Sequence, residues 1–127
     1  MIVLDTSALM ALLLAEPDAD QIAEILKSDE DFMISAGTLA EALIVAGRRG
    51  LSEEMSRLLE GIGVEIEAVS AAGAIAVSEA YSTWGKGIHP AGLNFGDCFS
   101  YVTAKASGFS LLYVGDDFAR TDLQSAL

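Results

Sequence analysis

Four acidic residues fall at positions from which they could hold a cation together. They are Asp5, Glu41, Asp97 and Asp116. Asp5 directly follows the apolar run 2–4, and Asp116 follows the apolar run 111–115. Both runs are predicted buried strands, and ligands of open parallel sheets bind at the carboxyl ends of the strands. We therefore expect these two carboxylates at the same edge of one sheet.

The other two acids lie on predicted helices. Asp97 falls in the first turn of a helix expected over 95–107, and Glu41 interrupts the otherwise apolar run 39–46. A charge inside an apolar run is costly to bury unless it has a partner. We expect both side chains to face the edge of the sheet that carries the first two acids.

Each acid also has an ordinary structural interpretation. Asp5 and Asp116 could be turn or cap residues, and Asp97 could be an acid favoured by the positive end of its helix. Glu41 could close a capping box with Thr38, if the helix began there. Separate caps have no reason to converge on one edge, so the combination favours a shared site.

Such a site would require a positive partner. Two carboxylates about 4 Å apart repel by roughly 4 kcal/mol at an effective dielectric constant of 20, so a cluster needs a cation or raised pKa values. Oxygen ligands alone favour Mg²⁺, with Mn²⁺ as a substitute, and the single His89 and single Cys98 cannot form a zinc cluster. Mg²⁺ with open water positions supports phosphodiester hydrolysis. A Ser-His-Asp mechanism would depend on His89, which falls in a glycine-rich loop.

The elements that position these acids alternate between strand and helix. Apolar patterning predicts strands over 1–4, 32–34, 64–69 and 110–114. It predicts helices over 8–14, 18–27, 35–49, 52–62 and 95–107, and one from 70 to about 81 or 84. Thr6 or Ser7 is expected to cap the first helix, and Ser52 the fourth. This order predicts an α/β fold with a parallel sheet, and the length of 127 residues predicts one domain, 1–127.

The composition of the chain limits which kinds of partner the protein can be expected to bind. Hydrophobic residues make up 52% of the chain, which predicts that some apolar surface is buried against another chain. The net charge of −12 is unusual for a protein that binds nucleic acid; a bound divalent cation would offset part of it, and a plain acidic surface is the alternative. No apolar run approaches the roughly 20 residues that span a bilayer, and the first residues lack a basic segment. We expect a cytoplasmic protein with no membrane partner.

Four stretches resemble the PIN-domain family and, within it, the VapC-type toxins of prokaryotic toxin–antitoxin pairs. They are IVLDTSAL at 2–9, TLAE at 38–41, LNFGDCFSY at 93–101 and LLYVGDDFARTD at 111–122. The resemblance implies a three-layer α/β/α fold around a mainly parallel sheet of four to five strands. It also implies a Mg²⁺-dependent endoribonuclease that cuts tRNA or other structured RNA, forms a homodimer, and is inhibited by a VapB-type antitoxin that often presents an Arg to the carboxylates.

The same resemblance implies roles for the acids. Asp5 and Asp97 would be the principal Mg²⁺ ligands, Glu41 would help activate water, and Asp116 would be the fourth acid, with its neighbour Asp117 as the alternative. Thr6 or Ser7 would hold the cluster by hydrogen bonds.

Other families fit less well. A phosphate-signalling receiver domain needs paired acids after its first strand and a Lys after its last, whereas Asp5 precedes Thr6 and no Lys follows Lys105. A haloacid-dehalogenase-like phosphatase would need an Asp where Ser7 stands. A PIN-fold protein that acts mainly as a partner-binding module remains the main alternative.

Overall fold

The computed structural model describes all 127 residues as a sheet enclosed by helices. The strands are β1 (Ile2–Leu4), β2 (Phe32–Ser35), β3 (Glu65–Glu67) and β4 (Ser110–Leu112). The helices are α1 (Thr6–Leu13), α2 (Ala19–Leu26), α3 (Ala36–Arg48), α4 (Ser52–Ile62), α5 (Ala71–Trp84) and α6 (Phe95–Ser107), and a 3₁₀ helix follows at Phe118–Arg120.

The sheet has the strand order β3-β2-β1-β4, and every pair of neighbours is parallel. Val3 of β1 pairs with Met33 of β2 on one side and with Leu111 of β4 on the other. All four carboxyl ends therefore lie at one edge, and β1 delivers Asp5 to the middle of that edge. The prediction of a parallel α/β sheet is confirmed, with four strands.

Side chains of successive strand residues contribute to two separate hydrophobic cores, one on each face of the sheet. Leu4, Ile34 and Leu112 are fully buried with residues of α1 to α4. Val3 and Leu111 are fully buried on the opposite face with residues of α5 and α6. Successive strand residues point to opposite faces, so two cores on one sheet make the three-layer arrangement that the resemblance implied.

Several predicted element ends need correction. Asp5, not Thr6 or Ser7, caps α1, because its carboxylate accepts a hydrogen bond from the Ser7 backbone N–H. Ser52 is the first residue of α4, so the cap position belongs to Leu51. The side chain of Leu51 makes no capping hydrogen bond to the helix. Strand β3 covers only 65–67, and α1 ends at Leu13, before Pro17.

Helices α3 and α6 meet closely above the carboxyl edge of the sheet. A Cβ atom placed on Gly37 of α3 would overlap the ring of Phe99 of α6. Glycine therefore permits an approach that no other residue allows without displacement of the ring. The contact lies near the beginnings of the two helices, α3 and α6, that carry Glu41 and Asp97.

Candidate active site

The carboxylate of Asp5 is held rigidly at the centre of the site. Only 2% of the residue is exposed. Its Oδ2 accepts hydrogen bonds from the Ser7 backbone N–H at 3.0 Å and the Ser7 hydroxyl at 2.7 Å, and its Oδ1 accepts one from the Ser100 hydroxyl at 2.6 Å. The interpretation of Asp5 as a cap is therefore confirmed. Its role as a metal ligand stays a prediction, and capping α1 leaves the carboxylate at the carboxyl edge of the sheet where that role requires it.

Glu41 faces the same edge from α3. The Thr6 hydroxyl donates a 2.7 Å hydrogen bond to its Oε1. Burial raises the pKa of Glu41 and the negative charge of Asp5 raises it further, while the Thr6 bond lowers it in part. The capping-box interpretation of Glu41 is wrong, because α3 begins at Ala36 and its cap is Ser35, whose hydroxyl accepts from the Gly37 N–H.

Asp97 reaches the site from the first turn of α6. It closes a capping box with Asn94: its Oδ2 accepts from the Asn94 N–H at 3.0 Å, and its own N–H donates to Asn94 Oδ1 at 2.8 Å. The pKa of Asp97 is raised to about 7. Burial is the largest cause, the bond from Asn94 lowers the pKa in part, and nearby negative charges, Asp5 and Glu41 among them, add to the rise. The structure therefore brings three of the four predicted acids together.

The fourth position falls in an exposed segment after β4. Asp116 and Asp117 are both exposed. The negative charge of Asp117 contributes to the raised pKa of Asp97, whereas that of Asp116 does not. The choice between them stays a prediction, and the position of Asp117 favours the alternative.

Gly96 lets the Glu41 carboxylate lie against the start of α6. A Cβ atom at this position would overlap Oε2 of Glu41. Sequence reasoning missed this role, as it missed Ser100 and its hydrogen-bond partner Thr38. The spacing of Ser100 three residues after Asp97 placed both on one helix face and was the available signal.

The oxygen donors suit a hard divalent cation in kind. Burial is the main cause of the raised pKa values of Glu41 and Asp97, and the negative charges of neighbouring acids at this edge raise them further. No three His, Cys, Asp or Glu side chains are arranged to enclose a metal ion by themselves. Mg²⁺ commonly takes one or two carboxylates and keeps several waters, so this donor set fits Mg²⁺ better than a cation that needs a complete protein cage.

Comparison with known proteins identifies the family. The profile described as PIN domain matches residues 2–123. The ribonuclease VapC30 of Mycobacterium tuberculosis is 45% identical over 124 residues, which cover 95% of each chain. The chain belongs to the PIN-domain family, among the VapC ribonucleases. The predicted class of enzyme, a nuclease, is confirmed by this membership.

Solved structures of other proteins share this fold. One is the crystal structure of Mycobacterium tuberculosis VapC20, described as a Sarcin-Ricin loop cleaving toxin, with a TM-score of 0.79 and 18% identity. The aligned region covers 97% of this chain and 96% of VapC20. A toxin–antitoxin complex from Klebsiella pneumoniae has a TM-score of 0.71 at 20% identity, covering 96% and 93%. None of the helices here combines the length and apolar character needed to span a bilayer.

Proposed function

We propose that this PIN domain is a Mg²⁺-dependent endoribonuclease and the toxin of a VapBC-type pair. The observation that carries the proposal is the convergence of Asp5, Glu41 and Asp97 at the carboxyl edge of the sheet, with raised pKa values for the last two. A ribonuclease relative at 45% identity supports the choice of RNA as substrate. A metal ion would relieve the repulsion that the acids exert on each other.

The residues divide the chemistry between them. Asp5 and Asp97 would hold Mg²⁺, with Asp5 fixed by its three hydrogen bonds and Asp97 by its capping box. When bound, the ion would polarise the phosphodiester, lower the pKa of a water and stabilise the leaving oxygen. Glu41 would orient that water and accept its proton, since a carboxylate with a raised pKa is a better base.

An adjoining groove offers a place for the RNA chain. It has a volume of about 500 Å³ and reaches the site at Asn94. Tyr81, Lys86 and Phe95 line it, and Phe95 is 70% exposed. Exposed aromatic rings stack on unpaired bases and a Lys can contact a phosphate, so the groove favours a single-stranded loop of tRNA or another structured RNA.

The first experiment tests cleavage itself. Antitoxin-free protein is incubated with a labelled tRNA pool, with and without Mg²⁺, and wild type is compared with Asp5→Asn and Asp97→Asn. We expect cleavage to require the metal and to vanish in both variants. Asp20→Asn, an exposed acid on α2, is the matched control and should cut like wild type. If the folded wild-type protein cuts no RNA with Mg²⁺ or Mn²⁺, the proposed ribonuclease activity is refuted. The alternative that the protein acts mainly by binding a partner would then remain.

A paired comparison decides the fourth acid. Asp116→Asn and Asp117→Asn remove one charge each from adjacent exposed residues. The variant that loses cleavage identifies the acid that acts, and the other serves as its control. Because the charge of Asp117 reaches Asp97, we expect Asp117→Asn to have the larger effect.

The proposed partners are a VapB-type antitoxin and a second copy of the chain. The Klebsiella pneumoniae relative in fold is a toxin–antitoxin complex, which supports the first. An antitoxin that presents an Arg to the carboxylates would supply the positive charge in place of the metal ion. The second is supported by exposed apolar side chains, which include Ile44, Ile66 and Ile75, each more than half exposed.

A further inference from the structure

Two buried hydroxyl groups form a hydrogen-bonded chain that ends on Asp5, and the proposed function gives neither of them a role. Ser100 on α6 and Thr38 on α3 are both 0% exposed. The Ser100 hydroxyl lies 2.6 Å from Asp5 Oδ1, and the Thr38 hydroxyl lies 2.9 Å from that of Ser100. A chain of hydroxyls thus runs from α3 through α6 to the carboxylate at the end of β1.

The order of protons along this chain follows from donor counting. An ionised carboxylate only accepts hydrogen bonds, so Ser100 must use its single O–H proton on Asp5. The Thr38 hydroxyl must then donate to the Ser100 oxygen, since Ser100 has no second proton. Each bond in such a chain polarises the next and strengthens the last one, which ends on the charge.

The same counting shows what remains for a cation. A carboxylate offers about four lone-pair positions. Ser7 occupies two on Oδ2 through its N–H and hydroxyl, and Ser100 occupies one on Oδ1. The Ser7 oxygen is held in turn by the Val114 N–H at 3.0 Å. One lone pair is left, on Oδ1, and the Ser100 bond sets its direction.

We propose that Ser100 and Thr38 are positioning residues of the metal site, which orient Asp5 so that it offers a single Oδ1 lone pair to the cation. The inference rests on the proposed function, because it concerns the ion that this function requires. Hydroxyls buried behind a ligand act through its orientation, and loss of such partners typically lowers metal affinity or activity about 10- to 100-fold.

Metal binding, not activity, is the decisive measurement. Mn²⁺ binding to the full chain is followed by the loss of the free-ion electron paramagnetic resonance signal. We expect Ser100→Ala and Thr38→Val to weaken Mn²⁺ binding, Ser100→Ala by about 10- to 100-fold. Thr38→Ser keeps the hydroxyl and should restore binding, because only the donor matters to the chain.

Thr103→Val is the matched control for a buried hydroxyl. Thr103 lies on α6, is 2% exposed, and donates to Glu67 at 3.1 Å, outside the site. Its loss should lower the melting temperature without changing Mn²⁺ affinity. If Ser100→Ala does not fold, the pair Thr38→Val and Thr38→Ser carries the test.

The outcomes separate the two proposals. Wild-type affinity in folded Ser100→Ala, or equal affinities in Thr38→Val and Thr38→Ser, would overturn the positioning role alone. A wild-type protein that binds no Mn²⁺ would overturn the metal-dependent function and the positioning role with it. An equal loss in Thr103→Val would also overturn the positioning role, because it would trace the effect to general destabilisation.

Discussion

At the scale of single residues, the site depends on contacts that restrain its charges. Asp5 and Glu41 each accept a hydroxyl bond shorter than 2.8 Å, and Asp97 is tied to Asn94. For Glu41 and Asp97, these bonds lower in part the pKa values that burial and neighbouring negative charges raise. Residue-level substitutions therefore separate the roles of position and charge.

Gly96→Ala should displace the Glu41 carboxylate at little cost in stability. The added Cβ overlaps the flexible end of Glu41, which can swing away from α6. We expect a change of less than about 1 kcal/mol in the free energy of unfolding, the size of a Gly-to-Ala propensity effect, and cleavage that falls toward the level of Glu41→Ala. The measurement is a double-mutant cycle of cleavage rates.

In the Glu41→Ala background, Gly96→Ala has no carboxylate left to displace and should not lower the rate further. Independent effects of the two substitutions, adding in full, would contradict the proposed contact.

Stability of the metal-free protein should fall as pH rises from about 4 to 7. The pKa of Asp97 is raised to about 7 in the folded state, above its value in the unfolded chain. The folded protein therefore holds more protons in this window, and linkage makes the free energy of unfolding decrease with rising pH. We expect a lower melting temperature at pH 8 than at pH 5 in EDTA. The raised pKa of Glu41 acts in the same direction.

Asp97→Asn is the control, because its amide oxygen can still accept the Asn94 bond while the charge is gone. Its melting temperature in EDTA should exceed that of wild type at pH 8 and change less with pH. The same pH profile in both proteins would show that Asp97 does not carry the effect.

At the scale of elements, the approach of α3 to α6 determines whether the acids meet. The two helices come from distant parts of the chain and contact each other at Gly37 and Phe99. Glu41 and Thr38 lie on one helix, Asp97 and Ser100 on the other. A change in the spacing of the helices therefore affects every hydrogen bond and charge pair between them.

Gly37→Ala should destabilise the protein by about 1–3 kcal/mol, the usual cost of overpacking. The Cβ would overlap the Phe99 ring. Gly61→Ala on α4 is the matched control, because a Cβ there meets nothing within 4 Å, and it should stabilise by about 0.5–1 kcal/mol. Urea unfolding of both variants measures whether each substitution lowers or raises the free energy of unfolding. A stabilising Gly37→Ala would mean that the helices are not in the close contact described.

At the scale of the whole molecule, apolar surface and acidic charge point to partners. The chain carries a net charge of −12 and leaves eight large hydrophobic side chains exposed. A large net charge opposes aggregation, while exposed apolar side chains favour association with a partner. Both features agree with the proposal that a second copy and an antitoxin cover part of the surface.

The isolated protein should therefore be a homodimer. Light scattering coupled to size-exclusion chromatography should give twice the monomer mass of 13.3 kDa. Because apolar burial would drive this association, the dimer should persist at high salt, where surface ion pairs are screened. A monomeric mass at every protein concentration tested would contradict the prediction.

The sequence alone determined the classes of element and the kinds of side chain that meet at the candidate site. Strand runs such as 2–4 and helix runs such as 95–107 carry their periodicity locally, because burial on one face selects apolar residues at a fixed spacing. Parallel strands place their carboxyl ends together, so Asp5 could be assigned to the ligand-binding edge before any coordinates. Helix caps were less predictable, because Asp5, Thr6 and Ser7 compete for one position.

Only the tertiary structure decided which side chains touch. Ser100 and Asp5 are 95 residues apart in sequence, and Thr38 and Ser100 are 62 apart. No local pattern specifies such a pair, because its distance depends on how closely α3 and α6 pack over the sheet. The overlap that Gly96 avoids with Glu41 arises from the same packing. Residue types thus set which atoms could bind a cation, and the packing of two helices set their positions.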